Sequence, residues 1–329
     1  CIYYSFREYF NNRRIVSQDR PAFKGKVSCY ADDITVVFIL GETVRESNLG
    51  INGYKRQTTP LLCKEKNVVS LPHIYSQYGF THTSVPYLLT RADSLHPDRA
   101  YQERSLISLF REAGYHTSWL ANQESVDTYV YFMKEADTLA YVNSGKSVYI
   151  YSKWLDEDLL PVYGKELKRN VKRNFILLHT IGSHWWYNGH FTDKYAKWKP
   201  VSNSRVISSN TPEQLINSYD NSILYSDYIW NRIINGVRNK NAIVVYLSDH
   251  SENLGENGLW GHGQEGNALH HPGCWIWYSD KYARLYPDKV NALKRNKDKY
   301  YNSSFLFHTL LSAGGVRTKY IEREYDVFN

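Results

Sequence analysis

Apolar and polar positions along the chain follow two alternating rhythms. Unbroken β-branched runs, ITVVFIL (34–40), NFILLHT (174–180) and AIVVYLSDH (242–250), predict parallel strands covered on both faces, with shorter candidates at HTSWLA (116–121) and CWIWYS (274–279). Between them the spacing turns helical: SLISLFREAGY (105–115), a stretch over 153–168, and a long one over 212–237. The last opens on Thr211-Pro212-Glu213 and sets Leu215, Ile216, Tyr219, Ile223, Ile229 and Ile233 near one face. Asn302-Ser303 ahead of SFLFHTLLSAGG predicts a capped helix closed by Gly314-Gly315. This alternation predicts a right-handed α/β fold with a largely parallel central sheet and helices on both faces. Residues 1–30 show no sustained period and carry Pro21 and Gly25. They are taken as a lead-in, an amphipathic helix and a linker, before a single domain over 31–329.

At 329 residues the chain is long enough to bury a large core without staples. Mean hydropathy is −0.54, and no apolar run approaches the roughly 18 residues that would cross a bilayer. The first residue is Cys1, with no secretory leader pattern behind it, so the chain is read as a processed or excised fragment. Forty Lys and Arg against 33 Asp and Glu give +7, without a long basic run. An ordinary solvated surface explains that charge, with an anionic membrane or glycolipid as the functional alternative. No nucleic-acid-binding motif accompanies it. Cys1, Cys29, Cys63 and Cys274 are widely spaced, which argues against a structural zinc knuckle and a dense disulfide framework while leaving room for one disulfide. The 29 Tyr and nine Trp suit a tyrosine-rich packed domain, and also carbohydrate or lipid-headgroup contact.

In open parallel sheets ligands gather beyond the carboxyl ends of the strands. Three of the apolar runs end there in ligand-type side chains: Glu42 after the first, His179 and then His184 after the second, and Asp249-His250 after the third. Taken singly, each has a plain explanation as a loop carboxylate, a turn pair or a core histidine. Taken together, acids and imidazole at the ends of buried strands would crowd unpaired charge unless a cation compensated it. Two carboxylates and a histidine suit a divalent ion, zinc being the natural choice for mixed nitrogen and oxygen ligands. The segment GFTHTSVPYLLT (79–90) offers a group to activate. Ser84, Val85 and Pro86 predict a helix start with proline in the first turn, leaving Thr81 just ahead of free amides that would hold an anion. A cation on the Thr81 hydroxyl would lower its pKa and make it a nucleophile. The plainer alternative is that Thr81 only caps the helix.

ILGETVRESNLGINGYKRQTTPLL (39–62), the Thr81 segment running into SVPYLLT, HTIGSHWWY and LSDHSENLGENGLWGHG resemble, in order and spacing, the phosphoethanolamine transferases of the alkaline phosphatase and sulfatase superfamily. That group includes the lipid A-modifying enzymes of polymyxin and colistin resistance, and the likeness covers most of 33–329. The resemblance implies a sulfatase-like catalytic domain with one tightly bound Zn2+, further zinc being possible, held by Glu42, Thr81, Asp249 and His250, with Thr81 as nucleophile. It implies that His184 and His262 line the substrate phosphate and assist proton transfer, and that Asn122 and Gln123 lie near headgroup-contacting positions. It also implies phosphatidylethanolamine as donor, a lipopolysaccharide acceptor (lipid A phosphate or core sugar), a monomer, and a periplasmic domain on the bacterial inner membrane. Family members carry N-terminal transmembrane helices, which this chain does not contain. The lipid A enzymes often have cysteines flanking the nucleophile, where Gln77 and Tyr87 stand here, so a relative acting on core sugar or another glycan fits as well.

Three rival readings make different demands on the sequence. A sulfatase would need a formylglycine signature, C/S-x-P-x-R, which the Thr81 segment lacks. A glycerol-phosphate transferase of the lipoteichoic acid synthase type, also threonine-based, is the nearer alternative. A glycan- or membrane-binding module with a dead site would have no reason to keep Thr81 and all three metal-binding side chains.

Overall fold

A computed structural model describes residues 20–126, 128–146 and 153–329. The expected lead-in lies outside the described residues over 1–19. In chain order the elements that frame the site are β1 (Ile34–Gly41), β2 (Val68–Ser70), α1 (Thr81–Leu89), α2 (Leu106–Glu112), β3 (His116–Ala121) and β4 (Thr138–Tyr141). They continue with α3 (Leu159–Leu167), β5 (Arg173–His179), α4 (Pro212–Val237), β6 (Ala242–Ser248), β7 (Cys274–Tyr278) and α5 (Phe305–Ala313).

Seven strands form one sheet in the order β2-β7-β6-β1-β5-β3-β4. β1 pairs in parallel with both β5 and β6, while β7 runs antiparallel to its neighbours β6 and β2. The sheet is therefore largely parallel, as the β-branched runs require, with one reversed strand that the sequence did not reveal. Alternate residues of β1 serve two cores: Val36, Phe38 and Leu40 pack with α1, α2 and α5 on one face, and Val37 and Ile39 pack with α3 and α4 on the other. Burying each such side chain stabilises the fold by roughly 1.5–3 kcal/mol. A strand used on both faces is what a continuous apolar run encodes.

Helix α4 spans the predicted 212–237, and Thr211 and Gln214 form a reciprocal capping box at its start. The C-terminal helix begins at Phe305, with Asn302 Oδ1 accepting from the Ser304 amide at 3.3 Å. One boundary differs in a way that matters. The sequence pattern started α1 at Ser84 with Pro86 in its first turn, whereas the helix starts at Thr81 and Pro86 lies inside it. The amides of Thr83 and Ser84 both close on Phe80 O, at 3.2 and 2.9 Å, so the first turn forms before the proline. Thr81 is thus the first helical residue rather than the residue ahead of the helix. Of the four cysteines, Cys29, Cys63 and Cys274 are free, and Cys1 lies outside the described residues.

Candidate metal and nucleophile site

Parallel register brings the site together. Leu40 stands opposite both His179 of β5 and Leu247 of β6, and Gly41 stands opposite Ser248. The chain therefore leaves the three central strands at one level, and Glu42 and Asp249 emerge side by side. The ladder continues past the strands, with Thr180 N donating to Leu40 O at 3.0 Å and Asp249 N to Gly41 O at 3.1 Å. Gly182 has φ +52, and a Cβ there would meet the Glu42 carbonyl oxygen at 2.6 Å, so only glycine lets the β5 loop lie against Glu42. Thr43 takes φ 62, unusual for a β-branched residue. Tyr219 of α4 holds it there by donating to Thr43 O at 2.7 Å, and Ser248 Oγ accepts from Val44 N at 2.8 Å.

Glu42, Asp249 and His250 each direct one ligand atom into a cluster whose atoms all lie within 4.8 Å of one another. All three are buried to 1 % exposure or less. His250 Nε2 lies 3.3 Å from Glu42 Oε1 and 3.6 Å from Asp249 Oδ2. His250 Nδ1 faces Ser251 O at 2.7 Å, which leaves Nε2 for the cluster. The Thr81 hydroxyl donates to Glu42 Oε2 at 3.0 Å and lies 3.4 Å from His250 Nε2. Gln123 Nε2 donates to the same Glu42 oxygen at 2.9 Å.

The electrostatics of the cluster call for positive charge. Burial pushes the Asp249 carboxyl up to about 7, and the like charge of Glu42 adds to the push. Burial opposes ionisation of Glu42 too, but its bond to His250 and the imidazoles around it hold it well below the usual carboxylate range. His250, against the burial that would lower it, is carried up to about 10 by Asp249 and Glu42. Without an ion, then, a proton on His250 offsets one of the two acids. Asp249 Oδ2 is buried with no hydrogen-bond partner among the described residues. A buried carboxylate oxygen left bare beside a histidine and a second acid fits a cation better than a closed hydrogen-bond network. With the Thr81 oxygen, the set offers four nitrogen and oxygen donors, the number zinc takes.

His184 and His262 stand at the rim. Their ring centroids are 5.5 Å apart, and that of His262 is 5.0 Å from that of His250. Burial lowers the His184 pKa, whereas His262 is raised, burial notwithstanding, by its bond to Glu252, whose Oε2 lies 3.4 Å from Nδ1. Glu252, fully buried, also accepts from the Tyr187 hydroxyl at 2.9 Å. Neither Glu252 nor Tyr187 was singled out from sequence, although Glu252 sits in the same SDHSENLGENG segment as Asp249 and His250. Only its proximity to His262 in space marks it.

The structure does not bring every expected residue to the cluster. Asn122 turns away: its Nδ2 donates to Asp156 Oδ1 at 2.9 Å and to Leu155 O at 3.1 Å, while its Oδ1 accepts from Trp154 Nε1 at 2.9 Å. Asp156 in turn accepts from the Ile181 and Gly182 amides, so this network shapes the loop that backs Glu42. His179 is buried between the rings of Trp119 and Tyr129, and neither of its nitrogens has a hydrogen-bond partner among the described residues. It is a core residue, as the plain explanation had it, though not a hydrogen-bonded one.

The chain matches the sulfatase family profile over residues 34–316. It is 31% identical over 303 residues to phosphoethanolamine transferase EptA of Escherichia coli (strain K12), an alignment covering 88% of this chain and 55% of that protein. The chain thus spans about half the length of the curated relatives it matches. The crystal structure of the soluble domain of lipooligosaccharide phosphoethanolamine transferase A from Neisseria meningitidis superposes with a TM-score of 0.81 at 28% identity, over 94% of each chain. The C-terminal periplasmic domain of EptC from Escherichia coli, solved in complex with Zn, has the same fold: TM-score 0.84, 21% identity, 94% of this chain and 90% of that one.

Proposed function

The chain belongs to the sulfatase family, and from that premise we propose that it is the catalytic part of a zinc-dependent phosphoethanolamine transferase working through a covalent threonine intermediate. The proposed domain is 31–329, the donor phosphatidylethanolamine, and the acceptor a lipopolysaccharide, at a lipid A phosphate or a core sugar. The observation that carries the proposal is the Thr81 hydroxyl within hydrogen-bond reach of Glu42 Oε2 and His250 Nε2, on the first residue of a helix. The likeness to named phosphoethanolamine transferases supports the substrate class, and the relatives' printed names support a lipid A or lipooligosaccharide acceptor. Work at the periplasmic face of the inner membrane is part of the same proposal, supported by the named periplasmic domain of like fold.

Zinc held by Glu42, Asp249, His250 and Thr81 would supply Lewis acidity that favours the ionised hydroxyl and offsets charge on the phosphoryl group. Thr81 Oγ attacks phosphorus, and its proton has Glu42 Oε2 as the nearest acceptor. Amides at the start of α1 other than those of Thr83 and Ser84, which close on Phe80 O, would face the non-bridging oxygens. The bond from phosphorus to the glycerol oxygen breaks, and diacylglycerol leaves with a proton from His262, whose hold on that proton Glu252 strengthens. An acceptor hydroxyl or phosphate then attacks the same phosphorus from the side the diacylglycerol left. His184, whose pKa burial lowers, takes the proton of an acceptor hydroxyl, and the bond to Thr81 breaks as its oxygen takes back the proton held at Glu42 Oε2. Gln123 orients Glu42 throughout.

The test is mass spectrometry of the zinc-loaded chain after incubation with phosphatidylethanolamine. A phosphoethanolamine adduct on Thr81 is expected. An adduct on another residue, or none with zinc bound, refutes the mechanism. A glycerol-phosphate adduct from phosphatidylglycerol would instead favour the lipoteichoic acid synthase type, whose fold is also similar.

A further inference from the structure

A groove of about 710 Å3 opens beside the candidate site, walled by Trp185, Arg205, Ile207, Trp260, His262 and Gln264. His262 belongs to both places: its ring lines the groove, stands 5.0 Å from that of His250, and lies 6.3 Å from that of Phe80, the neighbour of Thr81. One end of the groove is therefore the ring that stands beside His250 and Phe80. Trp260 is carried by a hairpin in which Trp260–Gly261 pairs with Asn253–Leu254, directly after the Asp249-His250 pair. Gly255, at φ +107, lets that indole pack down, since a Cβ there would meet its Cζ2 at 2.9 Å. Trp185 follows His184, so each tryptophan is fixed by a segment that also supplies a site residue. Both indoles are only half-buried.

The lining decides the occupant. Two half-exposed indoles offer flat apolar faces, whereas acyl chains would want aliphatic walls, and Ile207 is the one aliphatic side chain among the described lining residues. Gly258 and Gly263 leave open space where a Cβ would stand, so backbone groups there can be approached closely. The described lining carries no carboxylate. Indole faces with amide and backbone polar groups match a saccharide, its C–H face on a ring and its hydroxyls at the rim.

Resting on the transferase reading above, we infer that this groove is the acceptor subsite, that it takes a saccharide, and that Trp260 and Trp185 govern acceptor recognition rather than the donor step. The acceptor oxygen reaches phosphorus past His262, on the side opposite Thr81.

The experiment separates the two half-reactions in the 329-residue chain loaded with zinc. Adduct formation from short-chain phosphatidylethanolamine is followed by mass spectrometry, and discharge of the adduct is then followed in water and with lipid A disaccharide bisphosphate. In Trp260→Ala and Trp185→Ala, adduct formation and hydrolysis should stay within about two-fold of wild type while discharge to the saccharide falls about ten-fold, chiefly through KM. Trp260→Tyr, which keeps an aromatic face, should recover most of the loss and guards against a folding defect. Unchanged discharge to the saccharide overturns the inference, as does slowed adduct formation, which would assign the groove to the donor. Tryptophan fluorescence of the zinc-loaded chain titrated with the same saccharide reads the groove independently of turnover. Quenching in wild type and its loss in Trp260→Ala support the subsite even if no adduct forms, a result that would sink the transferase mechanism alone. No binding in wild type sinks the subsite.

Discussion

The Thr81 hydroxyl lies 3.0 Å from Glu42 Oε2, although Thr81 opens a helix on one face of the sheet and Glu42 follows the central strand. That distance gives a neutral hydroxyl an acidic neighbour in a buried setting, where the proton can pass and the resulting charge needs a cation.

Thr81→Ala removes one of four proposed zinc donors and the nucleophile, but no core contact. Folding should be unchanged and zinc still bound, more weakly, while the covalent phosphoethanolamine adduct disappears. Circular dichroism, metal analysis and intact-protein mass spectrometry check the three parts. An adduct persisting in the variant would show that another residue is the nucleophile.

Zinc binding should release protons. His250 is raised to about 10 in the metal-free cluster, so it carries a proton at neutral pH that a bound metal must displace. Affinity should therefore rise with pH, with release of about one proton from His250 at pH 7. Asp249, raised to about 7, adds about half a proton at that pH and more as the pH falls towards 6. Calorimetric titration of zinc in buffers of different ionisation enthalpy measures the number. Zero release would mean that zinc binds elsewhere.

Asp220 of α4 is fully buried and gathers the loop after Glu42, accepting from Asn48 Nδ2 and Tyr54 OH at 2.9 Å and pairing with Arg56 Nη1 at 2.8 Å. Asp220→Ala leaves a buried amide and a partly buried guanidinium without their acceptor. It should cost about 3 kcal/mol in urea unfolding. A loss under ~1 kcal/mol would show that the loop is held by other contacts.

Acid should weaken the fold through His308. Burial first, and then the charges of Arg91 and Arg99, lower its pKa to about 4, and its Nδ1 accepts from the Glu322 amide at 2.9 Å. With the folded pKa below the unfolded value near 6.5, the unfolded chain binds the proton more readily. The stabilising contribution is whole above about pH 6.5 and is lost as the pH falls towards 4, about 3 kcal/mol at most. His308→Gln should flatten that part of the stability profile measured by thermal unfolding. An unchanged slope would place the acid sensitivity elsewhere.

The sequence by itself determined the strands and the chemistry at their ends. A strand buried on both faces must be apolar throughout, so β1, β5 and β6 were legible as unbroken runs, and α4 was legible from its period and its Thr211-Pro212-Glu213 start. Glu42, Asp249 and His250 stood out because ligand-type residues directly follow such runs. Other features depend on partners distant along the chain, and no local pattern records them. The reversed direction of β7 is set by its pairing with β6 and β2, since an apolar run reads the same either way. The early start of α1 follows from two amides closing on Phe80 O, which outweighed the proline signal. The committed hydrogen bonds of Asn122, the hold of Glu252 on His262, and the approach of Trp185 and Trp260 to one groove are likewise tertiary facts. Sequence sets which side chains can do chemistry. Parallel register and loop packing decide which of them meet, because a hydrogen bond or a ligand bond requires placement to within a few tenths of an ångström that only the folded chain supplies.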